Sequence, residues 1–190
     1  MFQASIDKKV AVFLADGTEE IEALTVVDLL YRAGIPVTTV SIKDERTVVT
    51  SHGVHVVADT TIDELPFAAY DMLVLPGGMP GTLHLKDCKA LTDRVLSFHR
   101  EGKPVAAICA APTILAGLGL LEGKPATCFP AMEPQMAGAV LTHAPATVTD
   151  DKIITGRGMG CAIPFALAIV AYYLGQERAD QLAEAIVYER

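Results

Sequence analysis

Residues 105–118, VAAICAAPTILAGL, carry the reading on which the fold turns. Val105–Ile108 is a short continuous apolar run and reads as a buried strand. Residues 111–118 continue as a helix, and Cys109 stands at the tight turn between the two. The same unit recurs on either side. Val10–Leu14 is an apolar run closed by the polar turn Ala15-Asp16-Gly17-Thr18. After it Ile21, Leu24, Val27 and Leu30 keep helical spacing, Asp16, Thr18 or Glu19 can cap the helix, and Gly34 and Pro36 stop it. Met72–Leu75 runs into Pro76-Gly77-Gly78 and is followed by a helix over residues 90–100. A strand over 153–155 precedes a helix over 163–174, and a last helix is expected over 177–187.

Residues 37–42 read as a further strand. Residues 47–50 and 54–58, around Ser51-His52-Gly53, read as a hairpin added to the sheet. Four strand-to-helix crossovers imply a mostly parallel sheet. Right-handed connections then cover both its faces, which predicts a flavodoxin-like three-layer α/β/α sandwich. With 190 residues, 51% of them hydrophobic, and no linker or repeat, the chain is expected to form one domain over 1–190.

A formal net charge of -8 without any basic run argues against nucleic acid and anionic membrane as partners. No apolar stretch reaches the ~20 residues of a membrane span. The opening residues MFQASIDKKV lack the pattern of a signal peptide, so a cytoplasmic location is expected. Cys88, Cys109, Cys128 and Cys161 show no C-x-x-C pair, which disfavours zinc and a disulfide framework. His52 and His55 lie in the hairpin at a spacing that points them to opposite faces, against a shared metal. No metal and no cofactor are expected.

In parallel sheets ligands bind beyond the carboxyl ends of the strands, where Cys109 falls. Ala107 and Ala111 give it small neighbours two residues before and after, the steric need of a nucleophile elbow. A helix N-terminus there favours the thiolate. The alternative is a small buried hydrophobe among alanines. Gly77 and Gly78 can turn amides toward an oxyanion or serve as an ordinary tight turn. Glu19, Glu20 and Glu22 open the first helix, where acids commonly cap.

The segments GTEEIE (17–22), VLPGGMPG (74–81), AAICAAPTILA (106–116) and TGRGMGCAIPFALAIV (155–170) resemble the signature segments of the ThiJ/PfpI superfamily, in the branch of the parkinsonism-associated protein deglycase and its bacterial relatives. The resemblance runs from about residue 8 to 187. It implies a homodimer with Cys109 as the reactive cysteine, Glu22 as the acid that contacts it, and the Gly78 and Ala110 amides as donors to sulfur or substrate oxygen. Gly77, Arg157 and Phe129 are implied to support the site. Arg157 is a candidate anion contact, with a surface ion pair as its plainer role.

Two absences narrow the activity. The peptidase-like members place a histidine directly after the nucleophile, where this chain has Ala110. The glutamine amidotransferases need a late H-x-E pair, and the last histidine, His143, is followed by Ala144-Pro145. A departure also counts: Thr127-Cys128-Phe129-Pro130 puts Phe129 where the human-type proteins carry a histidine, removing one general acid or base. Gly156-Arg157-Gly158-Met159-Gly160 is not a dinucleotide fingerprint. The resemblance implies a glyoxalase or protein deglycase acting on methylglyoxal-type 2-oxoaldehydes or their protein adducts, in defence against carbonyl and oxidative stress. The competing reading is a non-enzymatic peroxide sensor or chaperone using the same cysteine.

Overall fold

The computed structural model describes residues 3–149 and 152–189. Its central sheet grows outward from β1 (Val10–Leu14), which pairs in parallel with β2 (Val37–Ser41) on one side and β6 (Met72–Leu75) on the other. The strands in between are β3 (Thr47–Val49), β4 (His55–Val57) and β5 (Thr60–Thr61). Beyond β6 come β7 (Val105–Ile108) and β11 (Ile153–Gly156), both parallel, and then β10 (Ala146–Thr149), antiparallel to β11. The full order is β10-β11-β7-β6-β1-β2-β5. This is the mostly parallel, flavodoxin-like arrangement expected from the repeated strand-to-helix units.

Alternation along β1 assigns the two faces. Val10, Val12 and Leu14 pack with α1 (Glu20–Ala33), α5 (Ala162–Leu174) and α6 (Gln176–Ala185). Ala11, Phe13 and Ala15 pack instead with α2 (Gly81–Asp87), α3 (Lys89–Arg100) and α4 (Pro112–Gly117). Strands buried on both faces need continuous apolar runs, which is why these segments could be read from sequence. Helix α1 ends where Gly34 adopts the left-handed conformation and returns its N–H to Leu30 and Tyr31.

Of the candidate caps of α1, Glu19 takes the place, its Oε2 accepting the Glu22 N–H at 2.7 Å. Several other expectations need correction. Asp16 instead accepts the Val49 N–H at 2.8 Å and pairs with Lys43 at 2.9 Å, so its carboxylate ties down the hairpin. The hairpin β3–β4 is a two-stranded sheet of its own. It is fastened over the β1–α1 loop by Gly17 N–H to Val49 O at 2.8 Å and Ser51 N–H to Thr18 O at 2.9 Å. Helix α2 and strand β10 had no counterpart in the sequence reading. The first opens on Pro80-Gly81, which reads as a turn, and the second is a half-exposed edge strand without a continuous apolar run. Short β8 (Pro125–Ala126) and β9 (Val140–Leu141) pair in parallel beside the sheet. Among the described residues, no helix is long and apolar enough to cross a membrane.

Candidate active site

Cys109 leaves the end of β7 with φ 64°, in the left-handed region that a residue with a β-carbon enters at a cost of about 1–2 kcal/mol. Two backbone bonds hold it there. Its N–H donates to Gly156 O at 2.9 Å at the end of β11, and its carbonyl accepts the Phe129 N–H at 2.8 Å. The elbow is thus clamped from both sides, and the residue is only partly buried.

Glu22, in the first turn of α1, is 1% exposed. Its Oε2 accepts the Gly77 N–H at 2.9 Å. Oε1 is buried without a well-formed hydrogen bond, and the Cys109 thiol is the side chain that acts on this carboxyl. Gly77 is what lets the two approach. A β-carbon on it would stand 2.6 Å from Glu22 Oε2 and 2.7 Å from Cys109 Cβ, distances no real side chain tolerates. Gly78 has φ 91°, and a β-carbon there would strike the Glu19 backbone nitrogen at 2.3 Å.

Burial pushes the Glu22 carboxyl up to about 7, the Cys109 and Gly77 hydrogen bonds pull it down, and the Glu19 charge pushes it up again. Burial likewise pushes the thiol up to about 12, helped by the charge and hydrogen bond of Glu22, while the Ala110 and Gly78 amides oppose it. The expectation of a thiol acidified by its turn is therefore corrected. Helix α4 begins only at Pro112 and has six residues, so its dipole is weak, and desolvation with a neighbouring anion outweighs the two amides. Above about pH 7 the pair holds one proton, on sulfur, and below it the carboxyl takes up a second.

Arg157 lies in an ion-pair cluster rather than free for an anion. Its Nη2 is 3.7 Å from Glu133 Oε1 and its Nη1 is 3.1 Å from His143 Nδ1, which is itself 3.1 Å from Glu133 Oε1. His143 had no partner pattern in the sequence, because Glu133 and Arg157 reach it only through folding. Cys128 is 1% exposed, and burial pushes its thiol up to about 11, consistent with inert packing. The free thiols include Cys88 and Cys161 as well. Phe129 is 44% exposed beside the elbow.

The structure also brings together residues the sequence kept apart. Glu20 Oε1 lies 2.9 Å from His52 Nδ1, an ion pair when the imidazole is protonated. Glu19, Glu20 and His52 offer ligand atoms within 4.8 Å of one another, the described residues' nearest approach to a cation-binding group. Glu19 spends Oε2 on its capping bond and Glu20 spends Oε1 on His52. Glu20 is therefore a partner of the hairpin.

Comparison with known proteins agrees with the fold. Two Arabidopsis thaliana proteins, DJ-1 homolog B and DJ-1 homolog A, are 38% and 37% identical over 97% of this chain, which spans 42% and 47% of their lengths. The chain is 29% identical to the Caenorhabditis elegans glutathione-independent glyoxalase DJR-1.2, over 90% of this chain and 91% of that one. The solved structure of oxidized DJ-1 from Toxoplasma gondii superposes with a TM-score of 0.91 at 36% identity, covering 96% of this chain and 100% of that one. The model of the DJ-1/PfpI family matches residues 8–172, and the chain belongs to that family.

Proposed function

We propose that the protein is a cofactor-independent glyoxalase or protein deglycase that converts methylglyoxal-type 2-oxoaldehydes, free or added to protein side chains, through Cys109. The observation that carries this reading is the buried Glu22 carboxyl, fixed by Gly77 and set against a thiol on a strained elbow. A group near pKa 7 both takes and returns protons at neutral pH. The name of the C. elegans relative supports the same chemistry.

The thiol proton passes to Glu22 as sulfur bonds to the aldehyde carbon, and the new alkoxide is steadied by the Gly78 and Ala110 amides. Glu22 returns the proton to that oxygen, giving a hemithioacetal. Glu22 then removes the hydrogen from the former aldehyde carbon as a proton, and reprotonation at the adjacent carbon leaves the thioester of a 2-hydroxy acid. Water cleaves the thioester, releasing lactate from methylglyoxal or glycolate from glyoxal and restoring the thiol. One water is consumed and no external oxidant enters. Conversion of methylglyoxal without glutathione, measured for the wild type, Cys109→Ser and Glu22→Gln, tests the scheme. Loss in both variants is expected, and unchanged rates in both overturn it.

A second reading is favoured by the amides of Gly78 and Ala110 that face the sulfur. They suit the oxygens of a sulfinate, with a protonated Glu22 as a further donor, so a peroxide-sensing role rests on the same residues. The oxidized state named for the T. gondii protein is in keeping with it. A homodimer fits the outward face of α1, where Ile21 and Leu24 are exposed, and the hairpin, where Val54 and Val57 are exposed. Sedimentation gives the oligomeric state directly, and a monomer at micromolar concentration contradicts it.

A further inference from the structure

Three large apolar side chains stand exposed on three loops that meet at the elbow: Met79 at 48%, Phe129 at 44% and Met159 at 54%. Each loop carries a backbone group that meets Cys109, the third through the Gly156 carbonyl that accepts the Cys109 N–H at 2.9 Å. Met79 follows Gly78, whose amide faces the sulfur. Phe129 donates its own N–H to the Cys109 carbonyl. Met159 follows Gly158, and a β-carbon at Gly158 would lie 3.4 Å from Phe129 Cδ2, so the ring rests against that glycine. Water-exposed thioethers and an aromatic ring gain free energy only when something apolar covers them.

The charged group of this region is already spoken for. Arg157 is compensated by Glu133 and its remaining edge faces His143, so a substrate carboxylate or phosphate meets a neutralised guanidinium. We propose that Phe129, flanked by Met79 and Met159, forms an apolar collar that selects 2-oxoaldehydes carrying an aryl or branched-alkyl group next to the dicarbonyl over unsubstituted glyoxal and over acidic analogues. The collar names the substrate class of the cysteine chemistry above and rests on that reading. Phe129 thereby contributes contact with the non-reacting end of the substrate, at the position where proton-transfer chemistry is missing.

The test compares kcat/KM for phenylglyoxal and glyoxal, each divided by that aldehyde's rate with a free small thiol. The wild type is expected to favour phenylglyoxal by roughly tenfold or more, Phe129→Ser to lose most of that preference, and Phe129→Leu to keep it, the size expected of an apolar specificity contact. The same three proteins are alkylated with N-benzyl iodoacetamide and with iodoacetamide, reading modification of Cys109 without turnover. A benzyl preference present in wild type and Phe129→Leu and lost in Phe129→Ser supports the collar even if no aldehyde is consumed, in which case the glyoxalase reading alone fails. Equal ratios in wild type and Phe129→Ser by both measurements overturn the collar.

Discussion

Glu22 and Gly77, 55 residues apart in the chain, meet through a 2.9 Å bond from the Gly77 amide to a carboxylate oxygen that is sealed from water. The same glycine lies under Cys109 Cβ, so one residue without a side chain sets the spacing of the acid and the thiol. Gly77→Ala is expected to force the two apart. Overpacking of this kind costs about 1–3 kcal/mol. A displacement near 1 Å at a reacting group lowers turnover about 100-fold. Thermal unfolding and methylglyoxal kinetics on the variant check both, and a variant with native activity contradicts the placement of Gly77.

The raised carboxyl has a defined effect on stability. Glu22 in the unfolded chain titrates near 4.5 and in the folded protein at about 7, so the folded state binds more protons between those values. Its contribution is therefore present below pH 4.5 and is lost as pH rises to about 7. The rise corresponds to ~3 kcal/mol at most. Glu22→Gln removes the buried charge and keeps an acceptor for Gly77. It is expected to be more stable than the wild type at pH 8 by about 1–3 kcal/mol, with no gain at pH 4. Urea denaturation at the two pH values measures this.

Turnover should follow the same proton. The reactive form of the pair carries one proton, whether it sits on sulfur or on carboxylate. Adding a second abolishes it, so kcat/KM is expected to fall as pH drops through about 7, the value at which Glu22 protonates. A profile flat from pH 5 to 8 contradicts the role of Glu22.

The left-handed backbone at Cys109 predicts a difference between two inactive variants. Cys109→Ala keeps the steric cost of φ 64°, whereas Cys109→Gly removes it. The glycine variant is expected to be the more stable of the two by about 1 kcal/mol. Chemical denaturation of both, side by side, decides it.

The β1, β6, β7 and β11 segments were legible because each is an apolar run buried on both faces, a property carried by adjacent residues. Cys109 was legible for a similar reason: alanines on both sides and a strand before it are local signs of an elbow. Helix α2 and strand β10 were not, since Pro80-Gly81 masks a helix start and an edge strand needs no continuous apolar run. The position of Asp16 allows it, beside Thr18 and Glu19, to cap α1. The partner it takes, Val49, is 33 residues away in the chain, and local spacing holds no trace of it.

From the sequence alone came the order of the strand-to-helix units, the layered fold and the elbow, because periodicity and turn residues are short-range properties, while Glu22 as the acid came from the resemblance of its segment to the family's. Tertiary structure decided the rest. It showed Glu22 bonded to Gly77 and pressed against the thiol, Arg157 paired with Glu133 and His143, and the hairpin fastened over the β1–α1 loop. It also reversed the expected direction of the Cys109 thiol. A dipole and two amides are visible in a local pattern, but desolvation and a neighbouring carboxylate arise only when distant segments exclude water together.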